Sequence, residues 1–146
     1  MNGDSSECII LNPDDFEDTM NLLRTQYINR NPLCRASRET IEDTYKEPLP
    51  TYVKKYLASG VSLGVRDSKT KMLVGVFLNS EYNLEDTSSE PSTNMEELGT
   101  VFRVLILLYP SPEVFREIKA NRVLEMSILC VHEDYGGQGL ARRLTE

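Results

Sequence analysis

The stretch "LCVHEDYGGQGLARRL", Leu129 to Leu144, decides how the rest of the chain is read. An apolar run ends at Val131, three glycines fall within four positions (Gly136, Gly137, Gly139), and two arginines follow. Glycine adopts positive φ without penalty and lets backbone approach a ligand closely. A strand, a glycine-rich turn and a new helix therefore aim unpaired N–H groups together at an anion. The expectation is an anion cradle. Neither common phosphate loop is present: G-x-x-x-x-G-K-S/T does not occur, and counting G-x-G-x-x-G from Gly137 puts Arg142 at the third glycine.

Working back from the cradle, "RVLEMSILCV" (Arg122 to Val131) reads as the strand that feeds it. "PSPEVFREI" reads as a helix with Pro112 in its first turn, and the apolar run "TVFRVLILLY" as another helix. Tyr82 to Leu98 carries five carboxylates and no Lys or Arg, the composition of an exposed connection or insertion. "VSLGVRD" and "MLVGVFLNSE", joined by the polar "SKTK", predict two strands of an antiparallel hairpin. Pro50 to Ser59 predicts a helix stopped by Gly60, and a shorter one is expected after a cap at Ser37, in "RETIEDTYK". Near the start, Cys8 to Leu11 predicts a strand, Asn12 a cap with Pro13 in the first turn, and Phe16, Met20, Leu23 and Tyr27 one face of a helix closed by Asn31-Pro32. The elements mix strands and helices, so the fold class is α/β.

The 146 residues, 40% apolar and 27% charged, fit one domain of an ordinary globular protein. A formal charge of −7 argues against nucleic-acid binding, which needs a basic surface. No run reaches the roughly 20 apolar residues of a membrane span, and no signal-like N-terminus is present, so a cytoplasmic chain with no membrane partner is expected. Cys8, Cys34 and Cys130 are odd in number and widely spaced, which predicts free thiols and no metal site.

The loop Gly136-Gly137-Gln138-Gly139-Leu140-Ala141 resembles the acetyl-CoA loop of the GCN5-related N-acetyltransferase superfamily, Q/R-x-x-G-x-G/A, with Gly136 departing from the usual Gln or Arg. The preceding "ILCVHEDY" resembles that superfamily's fourth strand and tyrosine-bearing turn. With "RNPL" at Arg30 to Leu33 and a long middle insertion, the chain is similar to insect-type arylalkylamine N-acetyltransferases.

The resemblance implies a mixed, mostly antiparallel central sheet flanked by helices. It implies acetyl-CoA as co-substrate, a small primary amine as acceptor and direct acetyl transfer, by a chain expected to act as a monomer. By position, the backbones of Leu129, Cys130 and Val131 pair with the pantetheine arm, and Gly137, Gln138, Gly139, Leu140, Ala141 and Arg142 hold the pyrophosphate. In this superfamily further strands follow the loop helix, so the chain is expected to be a C-terminally truncated domain. A primary amine has a pKa of about 10, so transfer needs a base. The insect family's acidic base falls at Asn31, which leaves Asn31 as an acceptor-side residue. Glu125 is then a candidate base and Cys130 a candidate proton donor to the departing thiolate. Glu47, in "KEPLP", repeats the family's letters at another place along the chain. His132 is the only histidine and has no nucleophile or metal-ligand pattern beside it. Two alternatives stay open: another superfamily branch, acting on a protein N-terminus, a lysine or a polyamine, and a non-catalytic CoA-binding remnant.

Overall fold

The side chains of Asn12 and Asp15 start the first helical segment by satisfying orphan amides of its first turn. Asn12 Oδ1 accepts from the Asp14 N–H (2.9 Å), and Asp15 Oδ2 accepts from the Asn12 N–H (3.0 Å). This corner follows β1 (Ser6–Ile10) and a 3₁₀ turn, Pro13–Asp15. The computed structural model describes residues 6–37, 49–85, 100, 103–104 and 112–146.

From Phe16 the chain stays helical to Arg30, but not uniformly: α1 (Phe16–Leu22) widens into a π-helical turn, Leu23–Tyr27, and returns to α-helix in α2 (Ile28–Arg30). The Thr25 hydroxyl donates back to the Asn21 carbonyl (2.9 Å), a bond that competes with the regular ladder. Asn31 is extended (ψ 122°), so the helix ends there and α3 (Pro32–Ser37) starts afresh. Ser37, expected as the cap of a following helix, is the last residue of α3, with its hydroxyl on the Cys34 carbonyl (3.1 Å). The helix expected over "RETIEDTYK" lies outside the described residues, as does Glu47.

α4 (Leu49–Ala58) buries Val53, Tyr56 and Leu57, and Gly60 at φ 73° stops it. β2 (Leu63–Asp67) and β3 (Leu73–Asn83) form the expected hairpin. Asp67 Oδ1 ties its turn by accepting the amides of Lys69 (2.9 Å) and Thr70 (2.7 Å). Tyr82 and Asn83 extend β3 rather than opening the acidic connection. Tyr82 pairs with Val123 and sets its ring 5.9 Å from that of Phe115, so packing outweighs the acidic sequence around it. Residues 86–98 of that connection lie outside the described residues; in "TVFRVLILLY", Thr100, Arg103 and Val104 are helical. α5 (Pro112–Ile118), β4 (Arg122–Val131), a 3₁₀ turn (Glu133–Tyr135) and α6 (Leu140–Thr145) complete the described chain.

The strands form one antiparallel sheet in the order β1-β2-β3-β4. One face is covered by the N-terminal helices and α4, through Leu11, Met20, Leu23, Val53, Tyr56, Leu57, Val76, Leu78 and Ile128. The other carries α6, whose Leu140 and Leu144 pack on Val65, Val74 and Phe77. Each fully buried side chain of this size contributes about 1.5–3 kcal/mol. Gly64 is required by contact: a Cβ there would lie 2.7 Å from Leu11 Cδ2.

Two features of β4 matter for function. Among the described residues it ends the strand order, so its outer side is an open edge there. The register also slips where Leu78 pairs with Ile128 and Asn79 with Met126, which leaves Ser127 as a bulge with no partner on β3. Among the described residues no helix is long and apolar enough to cross a membrane.

Candidate functional site

The open edge of β4 runs into the glycine loop, and backbone alternation decides which of its groups face outward. The His132 N–H donates to the Val74 carbonyl (2.8 Å), so residues 132, 130 and 128 spend their backbone groups on β3, while Leu129 and Val131 turn theirs to the open side. The Cys130 backbone, expected to pair with a ligand alongside its neighbours, thus faces Val76. On the outer side the Val131 carbonyl already has a partner, the Arg30 guanidinium (Nη1 to O, 3.0 Å).

The loop is held from three directions. His132 Nδ1 accepts from the Asp134 N–H (3.3 Å), buried Gln26 in the π-helical turn accepts the Glu133 N–H (3.1 Å), and the Tyr135 hydroxyl donates to Asp67 Oδ2 (3.1 Å). His132 is thus a turn-capping residue. The amides donated to Asp67, first that of Thr70, hold its carboxyl below the usual range, so it is ionised to receive Tyr135.

Beyond Gly136, whose N–H reaches the Glu133 carbonyl (2.9 Å), the backbone opens. Gly137 and Gly139 have φ of 72° and 77°, and a Cβ at either would meet nothing within 4 Å, so their faces are clear of protein. Gly139 caps α6 with left-handed backbone, and among the described residues no protein acceptor takes the amides from Gly137 to Arg142. Gln138 and Ala141 are exposed beside them, and Leu140 is buried as the anchor of α6.

The two arginines diverge. Arg143 docks α6 on β1, through Ser6 Oγ (2.8 Å) and Cys8 Sγ (3.5 Å). Arg142 is on the exposed side, where among the described residues its guanidinium pairs only with Glu146 one turn on (2.6 Å), an exposed pair that leaves it able to swing toward the loop.

Glu125 lies half-buried on the helix-covered face. Ser80 Oγ donates to its Oε2 (2.9 Å), the Tyr56 hydroxyl lies 3.1 Å from its Oε1, and Lys55 Nζ is 3.9 Å away. Cys130 is buried on the same face, and burial pushes its thiol up to about 11, against a smaller opposing pull from Arg30. Asn31 stands at the α2–α3 corner. Its Oδ1 accepts the amides of Leu33 (2.8 Å) and Cys34 (3.3 Å), and its own N–H donates to the Tyr27 carbonyl (2.8 Å). The structure brings the glycine turn, the outward groups of Leu129 and Val131, and Arg30 together at one end of β4; Glu125 lies further back along the strand.

Sequence reading did not single out Tyr56, Ser127, Gln26 or the contact of Arg30. One signal was available: a tyrosine on a buried helical face needs a polar partner for its hydroxyl. Among the described residues no group of three His, Cys, Asp or Glu is placed to hold a metal ion.

No protein-family model matches the chain, and no curated protein matches it by sequence. Solved structures do match its fold. Arylalkylamine N-acetyltransferase 2 from Aedes aegypti superposes with a TM-score of 0.72 at 20% identity, over 97% of this chain and 68% of that one. A mosquito arylalkylamine N-acetyltransferase like 5b gives 0.70 at 18%, over 97% and 68%. The polyamine N-acetyltransferase of Drosophila melanogaster, described as forming N-acetylagmatine, gives 0.74 at 15%, over 96% and 66%. The chain thus spans about two thirds of these structures. At such identities the likeness establishes the fold: a GCN5-related acetyltransferase architecture, with a four-stranded antiparallel sheet flanked by helices.

Proposed function

We propose that this chain binds acetyl-CoA along the open edge of β4 and transfers its acetyl group to a primary amine of the arylalkylamine class. The observation that carries the reading is the run of amides from Gly137 to Arg142 that no described residue accepts, presented by two glycines at positive φ at the end of a strand edge unpaired among the described residues. A diphosphate seated there directs the pantetheine arm back along Val131 and Leu129. Those residues offer outward backbone groups, and the arm adds to the sheet as an extra strand would.

Arg142 is the mobile cation beside the diphosphate. Arg30 competes with the arm for the Val131 carbonyl and moves aside when it binds. Asn31 sets the corner that carries Arg30 and bounds the acceptor side. The amine attacks the thioester directly, so neither an acyl-enzyme nor a metal is invoked.

Cys130 contributes as a packed wall. A thiol that burial pushes up to about 11 holds its proton more tightly than an ordinary thiol, which makes Cys130 a poorer donor to a departing CoA thiolate. The arylalkylamine class rests on the sequence likeness and on the arylalkylamine enzymes among the matching folds; the polyamine enzyme among them supports a cationic aliphatic amine as the second acceptor class.

The test is calorimetric binding of acetyl-CoA, followed by CoA thiol release with tryptamine, dopamine, octopamine, agmatine and a lysine peptide. Faster release with aromatic amines supports the proposal. Release with agmatine or the peptide alone transfers the chain to another branch, and binding without release to any amine makes it a CoA-binding module.

A further inference from the structure

Ser127, Tyr56 and Glu125 stand in a hydrogen-bonded row. The Tyr56 hydroxyl lies 2.9 Å from Ser127 Oγ and 3.1 Å from Glu125 Oε1. A phenol has one proton and a carboxylate only accepts, so Tyr56 donates to Glu125 and accepts from Ser127. Ser127 is the bulged residue of β4: it is exposed, while Tyr56 is 2% exposed and Glu125 half-buried. The row therefore leads from the surface of the strand into the helix-covered face. Its direction fits the bound arm. Phosphates at Gly137 to Arg142 and pantetheine along Val131 and Leu129 bring the thioester end toward Ser127.

We infer that Ser127 and Tyr56 form a proton relay that delivers the acceptor amine's proton to Glu125. The inference rests on the acetyltransfer reading above. The bound ammonium gives one N–H proton to Ser127 Oγ, the Ser127 proton passes to Tyr56 Oη, and the Tyr56 proton to Glu125 Oε1. The carboxylate becomes a carboxylic acid, the nitrogen becomes a neutral amine with a free lone pair, and both hydroxyls end as they began. That amine bonds to the thioester carbon as the carbon–sulfur bond breaks, and its second N–H proton goes to the departing sulfur, giving the amide and the CoA thiol.

Ser127 is the group that meets the amine; Tyr56 and Glu125 act through it. Among the described residues, Glu125 is faced by Lys55, Tyr52 and Tyr56 from α4 and by Ser80 from β3. Ser80 and Lys55 keep the carboxylate placed, while its Oε1 is the oxygen turned to Tyr56. Burial and the Glu125 charge hold the Tyr52 hydroxyl above its ordinary range, so it stays protonated at working pH.

The experiment compares wild type, Ser127→Ala, Ser127→Thr, Tyr56→Phe, Glu125→Gln and the Ser127→Ala/Glu125→Gln double variant in the full chain. Acetyl-CoA affinity, thermal melting and the pH profile of kcat are measured for each. The expected result is a loss in kcat of about 100-fold at neutral pH for each of the Ala, Phe and Gln variants, the usual scale of a proton-transfer group. That loss should narrow as pH rises toward the amine's own pKa, with acetyl-CoA affinity within about twofold of wild type. Ser127→Thr restores most of the rate. The double variant is no slower than either single one, because links in series fail together.

Ser127→Ala with wild-type rate and pH profile overturns the relay while leaving acetyl transfer standing, and so do multiplicative losses in the double variant. A wild-type chain that binds no acetyl-CoA overturns the acetyltransfer reading and the relay with it. Ser127 is exposed, so its variants report on the relay even if Tyr56→Phe unfolds the chain.

Discussion

Gly139 separates backbone shape from charge in the proposed cradle. Its φ of 77° and ψ of 10° are left-handed, and a Cβ would meet nothing within 4 Å, so Gly139→Ala adds no clash. The cost is conformational, about 1–2 kcal/mol, or a fall in melting temperature of roughly 3–8 °C for a chain of this size. The amides keep their aim, so acetyl-CoA affinity should stay within about threefold of wild type, well under 1.4 kcal/mol. Gly139→Glu has the same backbone cost and places a carboxylate beside the diphosphate. Two phosphate charges at about 6 Å in water repel it by about 0.7 kcal/mol each, together about tenfold in affinity. Screening should shrink that factor, since the Debye length falls from about 20 Å at 0.02 M salt to about 6 Å at 0.3 M. Calorimetry on both variants at the two salt concentrations measures it. Equal affinities for the Ala and Glu variants at low salt would refute the cradle assignment, whatever the melting temperatures show.

Gly64→Ala should act on stability alone. A Cβ 2.7 Å from Leu11 Cδ2 and 3.1 Å from Leu73 Cδ1, both buried, forces repacking worth about 1–3 kcal/mol, and a melting temperature within about 2 °C of wild type would contradict it. In alkylation at pH 8, Cys8, which is exposed, should be labelled in the native chain while buried Cys34 and Cys130 are not. The raised Cys130 pKa favours the protonated thiol in the fold. Its contribution to stability is complete below the ordinary thiol range and is lost as pH climbs toward about 11, so a urea midpoint that rises over that interval would be the wrong sign. Arg30→Ala should free the Val131 carbonyl and tighten acetyl-CoA binding by about threefold, the scale of one exposed hydrogen bond. Weaker binding would instead make Arg30 a ligand contact.

What the sequence disclosed follows the range of the forces involved. Asn12 before Pro13 declares a helix start because the cap is local, and "RVLEMSILCV" declares β4 because an apolar run leading into glycines leaves little choice. The glycine turn was legible for the same reason: positive φ at Gly137 and Gly139 is a property of those residues. Contacts distant along the chain were not legible. The bulge at Ser127 comes from a register slip against Leu78 and Asn79, and alternation without that slip would misplace either Glu125 or Ile128. Tyr56 reads as one more apolar position in α4 until β4 is laid beside it. The adjacent pair Arg142-Arg143 could be expected to diverge, but the docking of Arg143 on Ser6 and Cys8 required β1 to be in place.

Amide chemical shifts followed through an acetyl-CoA titration test the central claim most directly. The account predicts large perturbations at Gly137 to Arg142 and at Leu129 and Val131, whose backbones face the open edge. Cys130, bonded to β3 between them, should move far less. Perturbations that bypass the loop, or fall on Cys130 as strongly as on its two neighbours, would contradict it.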